Sequence, residues 1–141
     1  MTAPLHVFVD TAAWLALISR RDTLHRPAQQ VMSDLRRQRA RLVTTEFVLL
    51  EVANALSAPS TRLRAVSLIE GLRSLSTVRI VPADSVLLAD GLTLYRQRSD
   101  KERSLTDCIS FVVMQREQLT QAFTSDHHFE QAGFVKLLSS K

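Results

Sequence analysis

Residues 6–17 read HVFVDTAAWLAL and change from a strand pattern to a helix pattern at Asp10. Val7, Phe8 and Val9 form an apolar run of β-branched and aromatic residues, which is typical of a buried strand. Asp10 ends this run, and the apolar residues after it recur at helical spacing. The sequence therefore places a carboxylate where a buried strand gives way to a helix.

The same alternation of strand and helix patterns continues along the chain. No internal repeat, linker or low-complexity tract interrupts it. Such alternation indicates an α/β fold, in which helices cover both faces of a mostly parallel central sheet. The predicted strands cover residues 5–9, 41–45, 78–82, 122–125 and 134–138, and the predicted helices cover residues 11–20, 25–40, 47–57, 60–75, 84–98, 104–118 and 127–132.

Length and composition favour one globular domain over residues 1–141. The chain has 141 residues, of which 45% are hydrophobic, and this is enough to bury a core. Its one cysteine, Cys108, cannot form an internal disulfide, which favours a reducing compartment. The first residues lack a basic segment, and Asp10 interrupts the apolar run that follows. We therefore expect a cytoplasmic protein without a signal peptide or a membrane span.

The charge of the chain is compatible with a nucleic-acid partner. The net charge is +4, and most of the 18 basic residues are arginine, whose planar guanidinium binds phosphate bidentately. The densest basic cluster consists of Arg36, Arg37, Arg39 and Arg41. This cluster either forms a solvated helix end that is favourable to the helix dipole, or contacts RNA or a protein partner.

Four carboxylates are expected at one edge of the sheet. Asp10 and Asp126 each follow a predicted strand, and ligands of open parallel sheets bind beyond the carboxyl ends of the strands. Asp107 lies in the first turn of a predicted helix and Glu51 lies about one turn into another, so both are expected at this edge. Each aspartate could instead cap its helix, and Glu51 could belong to a solvated stripe.

Taken together, the four acids favour a metal site. Neighbouring carboxylates repel each other, so either their pKa values rise or a cation lies between them. A site made of oxygen ligands suits Mg²⁺ or Mn²⁺, which can support phosphodiester hydrolysis. Competing α/β enzymes lack support: no glycine precedes Gly71, so the phosphate-binding turns of dinucleotide-binding proteins and P-loop NTPases are missing.

Four stretches of the sequence resemble the PIN-domain family over nearly the whole chain. They are VFVDT (7–11), VTTEFVLLEVANAL (43–56), SLTDCISFVVM (104–114) and TSDHHFEQAGF (124–134). Short members of this family resemble the VapC-type ribonuclease toxins of type II toxin–antitoxin modules. One departure is Arg103, because many related sequences have an aromatic residue at that position.

The resemblance implies a three-layer α/β/α fold, a metal-dependent endoribonuclease and a specific set of residues. The family's acids fall on Asp10, Glu51, Asp107 and Asp126, which would bind Mg²⁺ or Mn²⁺ and direct water attack on RNA. Thr11 corresponds to a hydroxyl that often lies beside the family's metal site. The resemblance also implies a homodimer and a cognate antitoxin that covers the active site.

Two other functions within the same resemblance stay open at this point. The chain could be a catalytically weak PIN domain that acts as an RNA- or protein-binding module, or an RNA-processing nuclease outside a toxin pair. His127 and His128 suggest a transition-metal site, but packing or surface roles are the expected ones for both.

Overall fold

The computed structural model describes residues 4–139 as one parallel β-sheet with helices packed on it. The first three and last two residues of the predicted 1–141 domain lie outside this range. The strands are β1 (His6–Val9), β2 (Arg41–Thr45), β3 (Val78–Val81), β4 (Gln121–Phe123) and β5 (Val135–Lys136). The helices are α1 (Thr11–Ile18), α2 (His25–Arg37), α3 (Glu46–Ala55), α4 (Arg62–Ser74), α5 (Ser85–Gln97), α6 (Leu105–Arg116) and α7 (His127–Gln131).

The sheet confirms the predicted α/β class. Its five strands are ordered β3-β2-β1-β4-β5, and every pair of neighbours is parallel. β1 occupies the centre, and Val7, Phe8 and Val9 are fully buried because both faces of a parallel sheet are covered. The chain leaves β1 toward β2 on one side and later adds β4 on the other. The carboxyl ends of β1 and β4 therefore border a topological switch point, where ligands bind in open α/β sheets.

All seven predicted helices end one to three residues earlier than their sequence patterns suggest, and the ends of α2 and α6 show a common cause. α2 stops at Arg37 because Arg39 adopts φ 54°, which lets the Ala40 amide donate to the Leu35 carbonyl at 2.9 Å. α6 ends in the same way, with Gln118 at φ 57°. These are Schellman terminations in which an ordinary side chain occupies the left-handed position that glycine usually takes.

An aromatic cluster fixes α6 and α7 against the centre of the sheet. The ring of Phe129 on α7 lies 6.4 Å from that of Phe8 on β1 and 4.9 Å from that of Phe111 on α6. All three side chains are buried, and edge-on and offset ring contacts of this kind stabilise a core beyond their buried area. The same core therefore holds α6, which carries Asp107, and α7, which follows Asp126.

Within residues 4–139, no helix combines the length and the apolar character that a membrane crossing needs.

The contact between α5 and α6 requires a glycine at position 91. A Cβ atom added there would lie 2.3 Å from Cγ1 of the buried Ile109 and 3.4 Å from its Cα. Gly91→Ala should therefore lower the free energy of unfolding by about 1–2 kcal/mol, although alanine is the better helix former. Urea denaturation of both proteins measures this loss.

Gly71→Ala is the matched control, because Gly71 also lies inside a helix but a Cβ atom there meets nothing within 4 Å. This substitution should raise the free energy of unfolding by roughly 0.5–1 kcal/mol through helix propensity alone. A gain of the same size for Gly91→Ala would contradict the described packing of α5 on α6.

Candidate metal centre

Asp10 is a buried carboxylate with one oxygen that no group within residues 4–139 satisfies. It directly follows β1, its residue exposure is 3%, and its side chain accepts no capping hydrogen bond from α1. The hydroxyl of Thr124 donates to Oδ2 at 2.9 Å, whereas Oδ1 is buried without a hydrogen-bond partner. Burial raises the pKa of Asp10 to about 7, and the carboxylates of Asp107 and Glu51 act in the same direction. Capping therefore does not explain this aspartate.

Asp107 combines a structural role with a place beside Asp10. It lies in the first turn of α6, where its amide donates to Oγ of Ser104 at 3.0 Å. Its Oδ2 accepts the Ser104 amide at 3.4 Å, which completes the capping box that the sequence suggested. Burial raises the pKa of Asp107, and the carboxylates of Asp126 and Glu51 raise it further. The cap thus holds this carboxyl group at the edge of the sheet among other acids.

Asp126 follows the end of β4 and caps α7. Its Oδ1 accepts the His128 amide at 2.9 Å, and its own amide donates to the Thr124 hydroxyl at 3.1 Å. The same hydroxyl donates to Asp10, so Thr124 joins the carboxyl ends of β1 and β4 through one fully buried oxygen. Sequence reasoning missed Thr124. Its position directly after β4, two residues before Asp126, was the available signal.

The structure brings three of the four predicted acids together directly. One carboxylate oxygen from each of Asp10, Asp107 and Asp126 lies within 4.8 Å of the other two. Glu51 lies beside this group, where its Oε1 accepts a hydrogen bond from the hydroxyl of Thr11. The predicted neighbour Thr11 is thus placed as a support for Glu51 and joins the first turn of α1 to α3.

This donor set fits a hard divalent cation. Three carboxylates converge, two of them have raised pKa values, and Oδ1 of Asp10 is buried with its lone pairs unused. A divalent cation would satisfy that oxygen and offset the repulsion among the acids. Asp10, Asp107 and Asp126 are therefore the residues that could hold the ion, with Glu51 next to them.

His128 lies closer to the acids than the sequence suggested. Its Nδ1 is 3.1 Å from Oδ1 of Asp126 and 3.5 Å from Oδ2 of Asp107, and 19% of its side chain is exposed. His127 is largely exposed, and it forms with His128 and Asp126 a second group whose ligand atoms lie within 4.8 Å of one another. The surface role expected for His127 stays a prediction. His128 is therefore a neighbour of the acidic group, and its position two residues after Asp126 was the available signal.

The predicted arginine cluster lies away from the acids. Arg41 begins β2 and therefore marks the amino edge of the sheet, opposite the edge that carries the acids. Arg37 is paired with Asp34. Arg36, Arg39 and Arg41 border a groove of about 890 Å³. The structure thus does not bring this cluster to the acidic group, and its contact with RNA stays a prediction.

Arg103, the departure noted in the sequence, lies over the aromatic cluster. Its guanidinium carbon lies 5.3 Å from the ring centroid of Phe111, and its Nε is buried without a hydrogen-bond partner. A guanidinium over a ring face gains cation–π attraction. Arg103 therefore covers the aromatic cluster beside the start of α6.

Comparison with known proteins finds one family and several related structures. The family model described as PIN domain matches residues 7–135. The 23S rRNA-specific endonuclease VapC20 of Mycobacterium tuberculosis is 27% identical over 131 residues, which are 93% of this chain and 97% of the relative. The crystal structure of VapC20, described as a Sarcin-Ricin loop cleaving toxin, has a TM-score of 0.83 at 26% identity and covers 94% of this chain and 98% of its own.

Two more distant structures share the fold. VapBC2 from Rickettsia felis, bound to a DNA fragment from its promoter, has a TM-score of 0.63 at 12% identity, covering 93% of this chain and 96% of its own. FitAcB from Neisseria gonorrhoeae has a TM-score of 0.61 at 17% identity, covering 92% of this chain and 94% of its own. These matches support the three-layer α/β/α architecture.

Asp10→Asn should stabilise the metal-free protein at neutral and alkaline pH. The pKa of Asp10 rises from 3.8 to about 7 on folding, so the folded wild type holds a proton that the unfolded chain releases. Wild-type stability should therefore fall as the pH rises from about 4 to about 7, and asparagine removes this loss. The expected gain is up to about 4 kcal/mol above pH 7 and vanishes below about pH 4.

Urea denaturation in EDTA across this pH range measures the effect. Asp100→Asn is the control, because Asp100 is exposed and should give no comparable gain. An Asp10→Asn effect of equal size at acid and neutral pH would contradict the buried, proton-binding state of Asp10.

Proposed function

The chain belongs to the PIN domain family, and we propose that it is a metal-dependent endoribonuclease, the toxin of a toxin–antitoxin pair. The observation that carries this proposal is the meeting of Asp10, Asp107 and Asp126 within 4.8 Å, with Oδ1 of Asp10 unsatisfied. The full-length similarity to VapC20, an endonuclease by name, supports the same activity for this chain.

The proposed cofactor is Mg²⁺ or Mn²⁺, held by the three aspartates with Glu51 beside them. When bound, such an ion polarises a phosphodiester and lowers the pKa of a bound water. The chain's own contribution is to keep the carboxylates in place: Thr124 fixes Oδ2 of Asp10, and the capping box with Ser104 fixes Asp107. No cysteine nucleophile is required, and Cys108 is buried.

The proposed substrate is RNA. The relative VapC20 is described as a 23S rRNA-specific endonuclease. A hairpin from 23S rRNA is therefore the first RNA to test as a substrate of this chain. Cleavage at a phosphodiester fits the carboxylate site, because a metal held by carboxylates can bind a phosphate oxygen that the acids alone would repel.

The proposed protein partner is a cognate antitoxin that covers the active site. Part of it would also dock in the groove between α1, α2 and α4, which lies away from the acids. The accessible apolar wall of this groove includes Leu17, Met32 and Leu75, and the arginine cluster borders one side. An amphipathic segment with acidic residues would bury its apolar face there and pair its charges with the arginines.

A homodimer in the cytoplasm completes the proposal. Leu88, Leu92 and Tyr95 on α5 are exposed to 36%, 42% and 47%, and their i, i+4, i+7 spacing puts them on one face of the helix, which favours an interface between copies. The single cysteine, Cys108, suits a reducing compartment.

Asp107→Asn should reduce RNA cleavage by a hundredfold or more, on the order of several kcal/mol of transition-state stabilisation. Asparagine still offers an oxygen to the Ser104 amide, so α6 should stay capped and the fold intact. Sequencing of new RNA ends, with Mg²⁺, with Mn²⁺ and with EDTA, measures the loss.

Asp100→Asn serves as the matched control, because it removes an exposed carboxylate from the loop between α5 and α6. Wild-type cleavage by a folded Asp107→Asn protein would exclude the proposed site. RNA binding without cleavage under either metal, for the wild type itself, would instead favour a binding module.

Thr11→Val should raise the Mn²⁺ concentration needed for half-maximal cleavage by about tenfold, because Glu51 loses the hydroxyl that orients it. Thr93→Val is the control, since the Thr93 hydroxyl bonds only to the Ala89 carbonyl in its own helix. An unchanged Mn²⁺ dependence would show that Thr11 does not support the site.

A further inference from the structure

A second cavity, distinct from the apolar groove, lies between the end of α1 and the start of α4. Its volume is about 780 Å³. Three arginines and three hydroxyl-bearing residues line it, and they are Arg20, Arg21, Arg64, Ser19, Ser60 and Thr61. No acidic residue of the described chain is among its lining residues. The cavity therefore concentrates positive charge without a carboxylate to offset it.

The three arginines have no ion-pair partner within residues 4–139. The adjacent acid, Asp22, accepts the Leu24 amide on Oδ1 at 2.8 Å and, among the described residues, forms no ion pair with these arginines. Guanidinium groups that share a cavity repel each other, and a bound anion would relieve that repulsion. The cavity thus has the positive charge that an anion-binding site needs.

The wall formed by residues 56–62 is fixed by its own hydrogen bonds. The Arg62 side chain donates to the Ser57 carbonyl through Nε and a terminal nitrogen, at 3.1 and 2.7 Å. The Thr61 hydroxyl donates to the Leu56 carbonyl at 3.0 Å. The first turn of α4 contains no acid and has no side-chain cap, so its positive dipole end is also uncompensated. An anion would therefore meet a preformed wall.

The cavity lies at the far end of the helix that begins at the metal centre. Thr11 starts α1 beside Glu51, and Arg20 and Arg21 follow the end of the same helix. The 8 residues of α1 span about 12 Å, a distance that an RNA strand covers in a few nucleotides. A strand whose scissile phosphate lies at the acids can therefore place a neighbouring phosphate in this cavity.

We infer that this arginine cavity binds a phosphate of the RNA backbone a few nucleotides from the cleaved bond. The inference rests on the proposed ribonuclease function and adds a substrate-binding site to it. Guanidinium forks bind phosphate bidentately, and every lining residue except Ile18 carries a hydroxyl or guanidinium group. An RNA phosphate fits this polar lining better than a protein segment, for which the neighbouring apolar groove is suited.

The test compares Arg21→Ala/Arg64→Ala with the control Arg73→Ala/Arg96→Ala. The control removes two arginines from the last turns of α4 and α5 and so changes the net charge equally. Binding of a fluorescein-labelled, mixed-sequence, single-stranded RNA is measured in EDTA over a salt series. Each lost phosphate contact should reduce the slope of log K against log salt by about 0.7, so the cavity variant, which loses the contact to one phosphate, should lose about 0.7.

Cleavage in Mn²⁺ supplies the second readout. The cavity variant should raise KM about tenfold and change kcat less than about twofold, because it removes binding remote from the reacting bond. A salt slope and a KM equal to those of the control would overturn the cavity inference, while metal-dependent cleavage would still stand. Conversely, a reduced slope in EDTA together with no cleavage by the wild type would keep the cavity as an RNA site and reject the nuclease.

Discussion

Mutual repulsion among Asp10, Asp107 and Asp126 is the constraint on which the rest of the structure depends. Three carboxylates within 4.8 Å destabilise the free protein unless protons or a cation offset them. The fold holds them together nevertheless. Asp10 donates its amide to the Phe123 carbonyl at 3.1 Å, so the ends of β1 and β4 are fastened side by side. The aromatic cluster then fixes α6 and α7 to the same core.

This arrangement of carboxylates suits a divalent cation. Burial raises the pKa of Asp10 to about 7, so a proton occupies that carboxyl group in weakly acidic solution. A divalent cation in place of this proton would bind the buried Oδ1 of Asp10 and would reduce the repulsion among the three carboxylates. Two other surfaces differ from this negative centre in character. One is the arginine cavity beyond the end of α1, and the other is the apolar groove beside α2 and α4. Each surface suits a different class of partner.

The order of the strands and helices, and the meeting of acids at one edge of the sheet, could be predicted because strand ends are visible in the sequence. Asp10 and Asp126 follow apolar runs, and parallel pairing brings such ends to one edge. The ends of α2 and α6 were hidden, since Arg39 and Gln118 take positive φ angles without a glycine to mark them. The close spacing of arginines in the sequence also identified residues 36–41 as the densest basic cluster. The cavity formed by Arg20, Arg21 and Arg64 was invisible, because only folding brings its two segments together.

Diffraction from crystals soaked in Mn²⁺, recorded for the anomalous signal of manganese, tests the central claim most directly. The account predicts an anomalous peak between the carboxylates of Asp10, Asp107 and Asp126, with Oδ1 of Asp10 as a ligand. It also predicts that the peak is lost when Mn²⁺ is removed with EDTA. An acidic group without a peak at saturating Mn²⁺, or an ion held only by His127 and His128, would contradict the account.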